Sequence, residues 1–169
     1  MLSTKAIGSA TQASHYFFNR DDYYSKEGEL YERPSEWYGK GAESLGLKGT
    51  VDKKEFFELL AGKLPNGEQI GLMKNGTIKH RSGFDLTFSA PKSWSLANYE
   101  TKDPIFDKIF EQSVKYTLDL IERDCAMANI YKNKEQHMEK TGNIIASLHF
   151  HRLSRELEPN DHIHSVIKN

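Results

Sequence analysis

The segment GNIIASLHFHRLSRELEPNDHIHSVIKN, residues 142–169, alternates with a period of two on either side of a polar interruption. In its first half Ile144, Ala146, Leu148 and Phe150 share one face, and Ser147, His149 and His151 the other. In its second half Ile163 and Ile167 oppose His162 and His164. The polar stretch from Ser154 to Asp161 reads as a turn, so the pattern predicts an antiparallel hairpin whose two His-x-His pairs project from one polar face, away from the core. Imidazoles at i and i+2 on one strand, met by another from its neighbour, suit a three-histidine site for a divalent metal with open positions. Four histidines exceed the three required, and spacing alone does not name the spare. The competing reading is an exposed polar face that carries histidine without a ligand role.

Outward from this hairpin, GFDLTFS alternates again: Phe84, Leu86 and Phe88 point one way, Asp85, Thr87 and Ser89 the other, as in a half-buried strand. Pro91 and Lys92 then lead into a helix starting near Ser93. From Asp103 to about Lys132, apolar residues recur at 106, 110, 114, 118, 121, 125 and 128, the stripe of one helix roughly 40 Å long that packs on a sheet. Asp52 with Glu55 forms a helix-start signature ahead of Phe56, Leu59 and Leu60, and Gly62 and Pro65 end that helix. Residues 25–50 read as an extended loop broken by a short helix at 41–45. Gly41 and Gly46 have phosphate-loop spacing, but Leu47 stands where that motif needs lysine, which removes the nucleotide-binding reading.

The chain has 169 residues, enough for one domain with its own core. It contains no apolar run of the roughly 18 residues that a membrane span requires. No secretory signal is visible, and an intracellular location is expected. The single cysteine, Cys125, excludes an internal disulfide and a cysteine-based zinc cluster; within the helical stripe it reads as a buried structural residue. A net charge of −1 leaves any polynucleotide contact to local patches, of which Lys74, Lys79, His80, Arg81 and Lys92 form the one basic stretch.

Near the N-terminus, HYFFNRDDYY gathers Tyr16, Phe17, Phe18, Tyr23 and Tyr24. Aromatic residues in such numbers usually build cores, but a phenol is also a nucleophile once a base or a positive charge lowers the cost of its ionisation.

The tyrosine cluster, EWYGKGAESLGL, GFDLTFSAPKSWS and HxxSRExxPxxHxH occur in an order that resembles the N-terminal half of conjugative relaxases of the TrwC/TraI (MobF) type, a branch of the HUH endonucleases. The resemblance implies an α+β fold, an antiparallel sheet flanked by helices, with the metal site on central strands. It assigns His151, His162 and His164 as the metal ligands and leaves His149 as the spare. It assigns Tyr16 as the first catalytic tyrosine, Tyr23 and Tyr24 as the second pair, and Asp85 as the catalytic aspartate that orients the metal site and assists in accepting the tyrosine proton. The implied reaction is nicking of single-stranded DNA at a plasmid origin of transfer through a 5′-phosphotyrosyl link, followed by strand transfer. The ion expected is Mg2+ or Mn2+, with Zn2+ or Ni2+ as alternatives. Relaxosome accessory proteins and a type IV secretion coupling protein are the expected partners, in a bacterial cytoplasm or after translocation into a recipient cell.

Two departures from the family pattern stand out. Phe17 replaces an adjacent tyrosine common in the family, and the chain ends five residues after His164. The expectation is a relaxase-type domain truncated at its C-terminus relative to the family, residues 1–169 forming its N-terminal portion without a helicase. The rival readings are a non-catalytic fragment that binds DNA or a relaxosome partner, and a rolling-circle replication initiator. In such initiators the tyrosine usually follows the histidine motif, which argues against the second.

Overall fold

The computed structural model describes residues 1–18, 33–74, 77–132, 135–154 and 156–168. Its centre is an antiparallel five-stranded sheet in the order β1-β5-β9-β8-β2, built from β1 (Leu2–Ile7), β2 (Glu36–Tyr38), β5 (Gly83–Ser89), β8 (Ile145–Leu153) and β9 (Pro159–Lys168). Two separate hairpins, β3 (Leu72–Lys74) with β4 (Thr77–Lys79) and β6 (Met127–Lys132) with β7 (Glu135–Lys140), complete the strands. The expected α+β class and the β8–β9 hairpin are both present.

Alternation in β5, β8 and β9 gives the sheet two faces. One carries Leu86, Phe88, Ala146, Leu148, Ile163 and Ile167, buried together with Val114 and Leu118 of α5 (Pro104–Cys125). This helix starts where Asp103 accepts a hydrogen bond from the Ile105 amide and Pro104 occupies the first turn, a position where a missing N–H costs nothing. Burial of these apolar side chains contributes roughly 1.5–3 kcal/mol each.

The other face was expected to point away from the core, but it is covered as well. Ile145 and Val166 pack there with Phe17 of α1 (Ala10–Phe18) and with Phe56, Leu59 and Leu60 of α3 (Lys53–Leu60). The histidines therefore lie in a second buried layer. Alternation distinguishes two sides of a strand; it carries no information about which helices later settle on each.

The long helix is also shorter than its periodicity suggests. It ends at Cys125, and Met127–Lys132 is a strand paired in register with Glu135–Lys140. Ala128 fell on the helical stripe by coincidence, and cross-strand pairing of this segment overrides the weak helical pattern. Cys125, in the last turn beyond the sheet, is exposed rather than buried.

In the loop region, the short helix stands as α2 (Lys40–Ser44), preceded by β2. Gly39 has a φ of +98°, and a Cβ there would lie 2.5 Å from the Ile144 carbonyl oxygen. Only glycine lets this turn approach β8 so closely. The buried Glu122 carboxylate of α5 fixes the approach by accepting from the amides of Lys40 (2.8 Å) and Ile144 (2.9 Å). The fourth helix, α4 (Lys92–Thr101), packs on β9 from the α5 side. Among the described residues no helix is long and apolar enough to cross a membrane.

Candidate metal and tyrosine site

The β8–β9 register sets the site. His149 pairs with His164 and His151 with His162, so all four rings rise from one face at one end of the ladder. Beyond His151 the register shifts: Leu153 meets Pro159, leaving Asn160 and Asp161 of β9 opposite Arg152 alone. This bulge ends the regular pairing next to the histidines and re-aims the chain there.

His151, His162 and His164 form a tight triangle, with ring centroids 5.1, 5.4 and 5.2 Å apart. Two of the three rings are held through Nδ1. His164 Nδ1 lies 2.9 Å from an Asp85 carboxylate oxygen and 3.1 Å from the Thr87 hydroxyl. His162 Nδ1 lies 2.7 Å from the Asn160 carbonyl oxygen, a contact that requires the proton on Nδ1. Engaging Nδ1 in this way turns the basic Nε2 into the available donor and fixes the tautomer a metal ligand needs. Burial also holds the His162 pKa below its ordinary value, keeping the ring neutral. Three imidazoles, two of them oriented by outer hydrogen bonds, fit a divalent cation. Among the described residues no three His, Cys, Asp or Glu side chains meet as ready-made ligands.

His149 is different in kind. It is 2% exposed, its Nδ1 lies 2.8 Å from the Ser35 hydroxyl and its Nε2 3.0 Å from the Ser147 hydroxyl. Phe17 stacks on the ring at 4.5 Å. Both nitrogens are engaged within the protein, and burial, assisted by the neighbouring His151 and His164, pushes its pKa down to about 3.

Helix α1 brings the phenol. Ser9 caps it by accepting from the Gln12 amide at 3.2 Å, and Ala10, Ala13, Ser14 and Phe17 form its buried stripe. Tyr16, beside that stripe, stands edge-on to His164 with centroids 5.8 Å apart. Thus Tyr16, His164 and Asp85, separated by most of the chain in sequence, meet on one face. Tyr23 and Tyr24 lie outside the described residues.

At this end of the sheet β2 pairs only with residues 146–148 of β8, and a cavity of about 320 Å³ opens along the rest of that edge. Arg33, Asp107, Phe110, Phe150, Arg152 and Asp161 line it together with His151 and His162, with the Arg33 guanidinium 3.8 Å above the Phe150 ring. The basic residues singled out in the sequence do not gather around it. Arg81 precedes β5 and lies 4.9 Å above Phe84, whereas Lys92 follows β5 and pairs with Glu158 at 2.7 Å. Lys74 and Lys79 belong to the β3–β4 hairpin.

A doubly covered antiparallel sheet that carries a histidine triangle on adjacent central strands, with a tyrosine of the first helix against it, describes an α+β domain of the kind found in the solved relaxases. The comparisons agree. The TrwC relaxase family matches residues 10–169. The multifunctional conjugation protein TraI of Escherichia coli (strain K12) is 38% identical over all 169 residues, which span 9% of that protein. The metal-bound structure of conjugative relaxase TrwC in complex with oriT DNA superposes with a TM-score of 0.82 at 38% identity, covering 100% of this chain and 57% of that one. TrwC complexed with a 27-mer DNA comprising the recognition hairpin and the cleavage site gives 0.78 at 37% identity, covering 100% and 55%. The chain belongs to the TrwC relaxase family.

Proposed function

We propose that this chain takes part in conjugative DNA processing as a metal-dependent, strand-specific nickase of single-stranded DNA at a plasmid origin of transfer. The observation that carries the reading is the 5.8 Å approach of the Tyr16 ring to His164 within the histidine triangle. The solved TrwC relatives are complexes with DNA, two of them metal-bound, which supports the same reading.

Tyr16 Oη attacks the scissile phosphorus as the bond to the 3′-oxygen breaks. The phenolic proton passes to a base in the solvent-accessible site, and the departing 3′-oxygen takes one up. The product is a 5′-phosphotyrosyl link and a free 3′-hydroxyl, and because one phosphodiester replaces another the step reverses to rejoin strands. His151, His162 and His164 would hold a divalent ion, Mg2+ or Mn2+ in the first instance, which supplies charge neutralisation at the phosphate oxygens. Asp85 and Thr87 hold His164 in the required tautomer, and Asn160 does the same for His162. Tyr23 or Tyr24 serves a second transfer. Relaxosome proteins and a secretion coupling protein are the partners this role entails, in the bacterial cytoplasm.

The test is incubation with an origin-like single strand and Mg2+ or Mn2+, followed by denaturing gel electrophoresis. A covalent adduct that disappears in Tyr16→Phe is expected. An adduct that survives that change moves the nucleophile to Tyr23 or Tyr24, and DNA binding without any adduct makes the chain a binding module.

A further inference from the structure

The histidine triangle occupies one face of the β8–β9 ladder, and the opposite face at the same level carries a buried polar network. Asn98 of α4 is 1% exposed. Its Nδ2 donates to Asp107 of α5 at 2.9 Å and to Asp161 of β9 at 2.8 Å, one hydrogen to each carboxylate. Asp107 in turn receives Arg152 of β8, and the Asp161 amide donates to the buried Ser95 hydroxyl at 2.9 Å. Asp161 directly precedes His162, and Arg152 directly follows His151.

We propose that Asn98 is a positioning residue for His151 and His162, setting the separation of the two strand ends that carry them. The proposal rests on the metal-binding reading above. The bulge leaves Asn160 and Asp161 opposite Arg152 alone, so the β8–β9 ladder does not fix their separation from β8, although the Asp161 carbonyl accepts from the Ala90 amide on the β5 side at 2.9 Å. The amide compensates from the far side of the sheet. It draws Asp161 toward α4, and through Asp107 it draws Arg152 toward α5, so both strands are tied to one point. The apolar packing of α5 on the sheet does not need this network. Its polar members cost desolvation that well-packed apolar residues would avoid, and the Asn98 Oδ1 is buried without a hydrogen-bond partner among the described residues. A buried amide that leaves its own acceptor unmet while bridging two acids indicates a geometric task.

The experiment compares wild type with Asn98→Leu, which keeps the branched shape and removes both donors, well below the melting temperature. Two quantities are read: the His side-chain NMR signals of the metal-free protein, and the affinity for Mn2+ alone. Positioning predicts that the His151 and His162 signals move while those of His149 and His80 stay, and that Mn2+ affinity falls about tenfold. Adding Asp161→Asn, which relieves the two facing carboxylates and supplies a new amide toward Asp107, should restore both readouts. A lower melting temperature with unmoved His151 and His162 signals and unchanged Mn2+ affinity would overturn the proposal. Should Asn98→Leu not fold, Asp107→Asn at the more exposed arm of the network decides in its place: the His151 signal should move more than that of His162, and equal or absent movement rejects the idea. If wild type binds no Mn2+, the metal reading fails, and the metal-free signals alone decide whether Asn98 positions the rings.

Discussion

His149 and His164 face each other across the β8–β9 ladder, yet they do opposite work: His164 presents its Nδ1 to an acid, whereas His149 spends both nitrogens on buried hydroxyls. His149→Ala should leave Mn2+ affinity within about twofold of wild type while costing on the order of 3 kcal/mol of stability from the cavity and the two stranded serines. Calorimetric metal titration and denaturant unfolding check the two halves separately; loss of metal binding in this variant would make His149 a ligand.

The same residue sets a pH dependence. With its pKa depressed to about 3 in the folded state, His149 remains neutral in the fold at pH values where the unfolded chain takes up a proton. Its contribution is therefore intact above about pH 6.5 and is lost as pH falls toward 3, at a slope approaching about 1.4 kcal/mol per unit. His149→Phe, which retains the stack on Phe17, should lose that slope, so that the stability difference between wild type and variant changes by about 1.4 kcal/mol per pH unit below about pH 6.

Asp85→Asn should weaken Mn2+ binding by roughly 10- to 100-fold, the usual effect of removing an outer-shell carboxylate from a ligating histidine. The Thr87 hydroxyl at 3.1 Å remains to hold Nδ1, so the fold should survive. Titration of the metal against folded variant distinguishes this from unfolding.

Between β2 and α5, Arg33 and Lys115 share the carboxylates of Glu36 and Glu111. The hydrogen bond from Arg33, then that from Lys115, lowers the Glu111 pKa to about 2. Its stabilisation is present above its unfolded value near 4.5 and disappears as pH falls toward 2. After discounting solvent screening it amounts to the order of 1 kcal/mol. Glu111→Gln should lose that amount at pH 7 and match wild type near pH 2, as read by urea unfolding.

Lys168 carries the opposite sign. Burial lowers its pKa to about 8, so below pH 8 the fold bears the cost of a buried ammonium. That cost is relieved as pH rises from about 8 to 10.5, where the folded state has released a proton that the unfolded chain retains. Lys168→Met should therefore be more stable than wild type at pH 7, by up to about 2 kcal/mol, with the advantage shrinking toward pH 10.5. An equal or lower stability at pH 7 would mean that the contacts to His80 and the Arg81 carbonyl outweigh burial.

The strands of the site were legible because Phe84 to Ser89 and Ala146 to His151 alternate without interruption, and helix α3 because Asp52 and Phe56 to Leu60 carry both a cap and a stripe. Other features were not. Glu36–Tyr38 is too short to display a period, and Met127–Lys132 continued a helical stripe through Ala128 by chance. The covering of the histidine face depends on α1 and α3, whose docking is a tertiary event. The role of His149 depended on Ser35, 114 residues away, and Asn98 sits in a helix whose pattern gives no hint of two acids converging on it.

The bulge at Asn160 and Asp161 has a further meaning for how such a protein tolerates change. Every residue added to or removed from a hairpin connection would, in an unbroken ladder, transmit an offset along both strands and turn each histidine to the wrong side. Here the irregularity lies between the connection and the ligands, so the offset is absorbed before it reaches them. The turn at 154–158 is thereby insulated from the chemistry, free to lengthen, shorten or acquire new contacts while the four rings keep their partners.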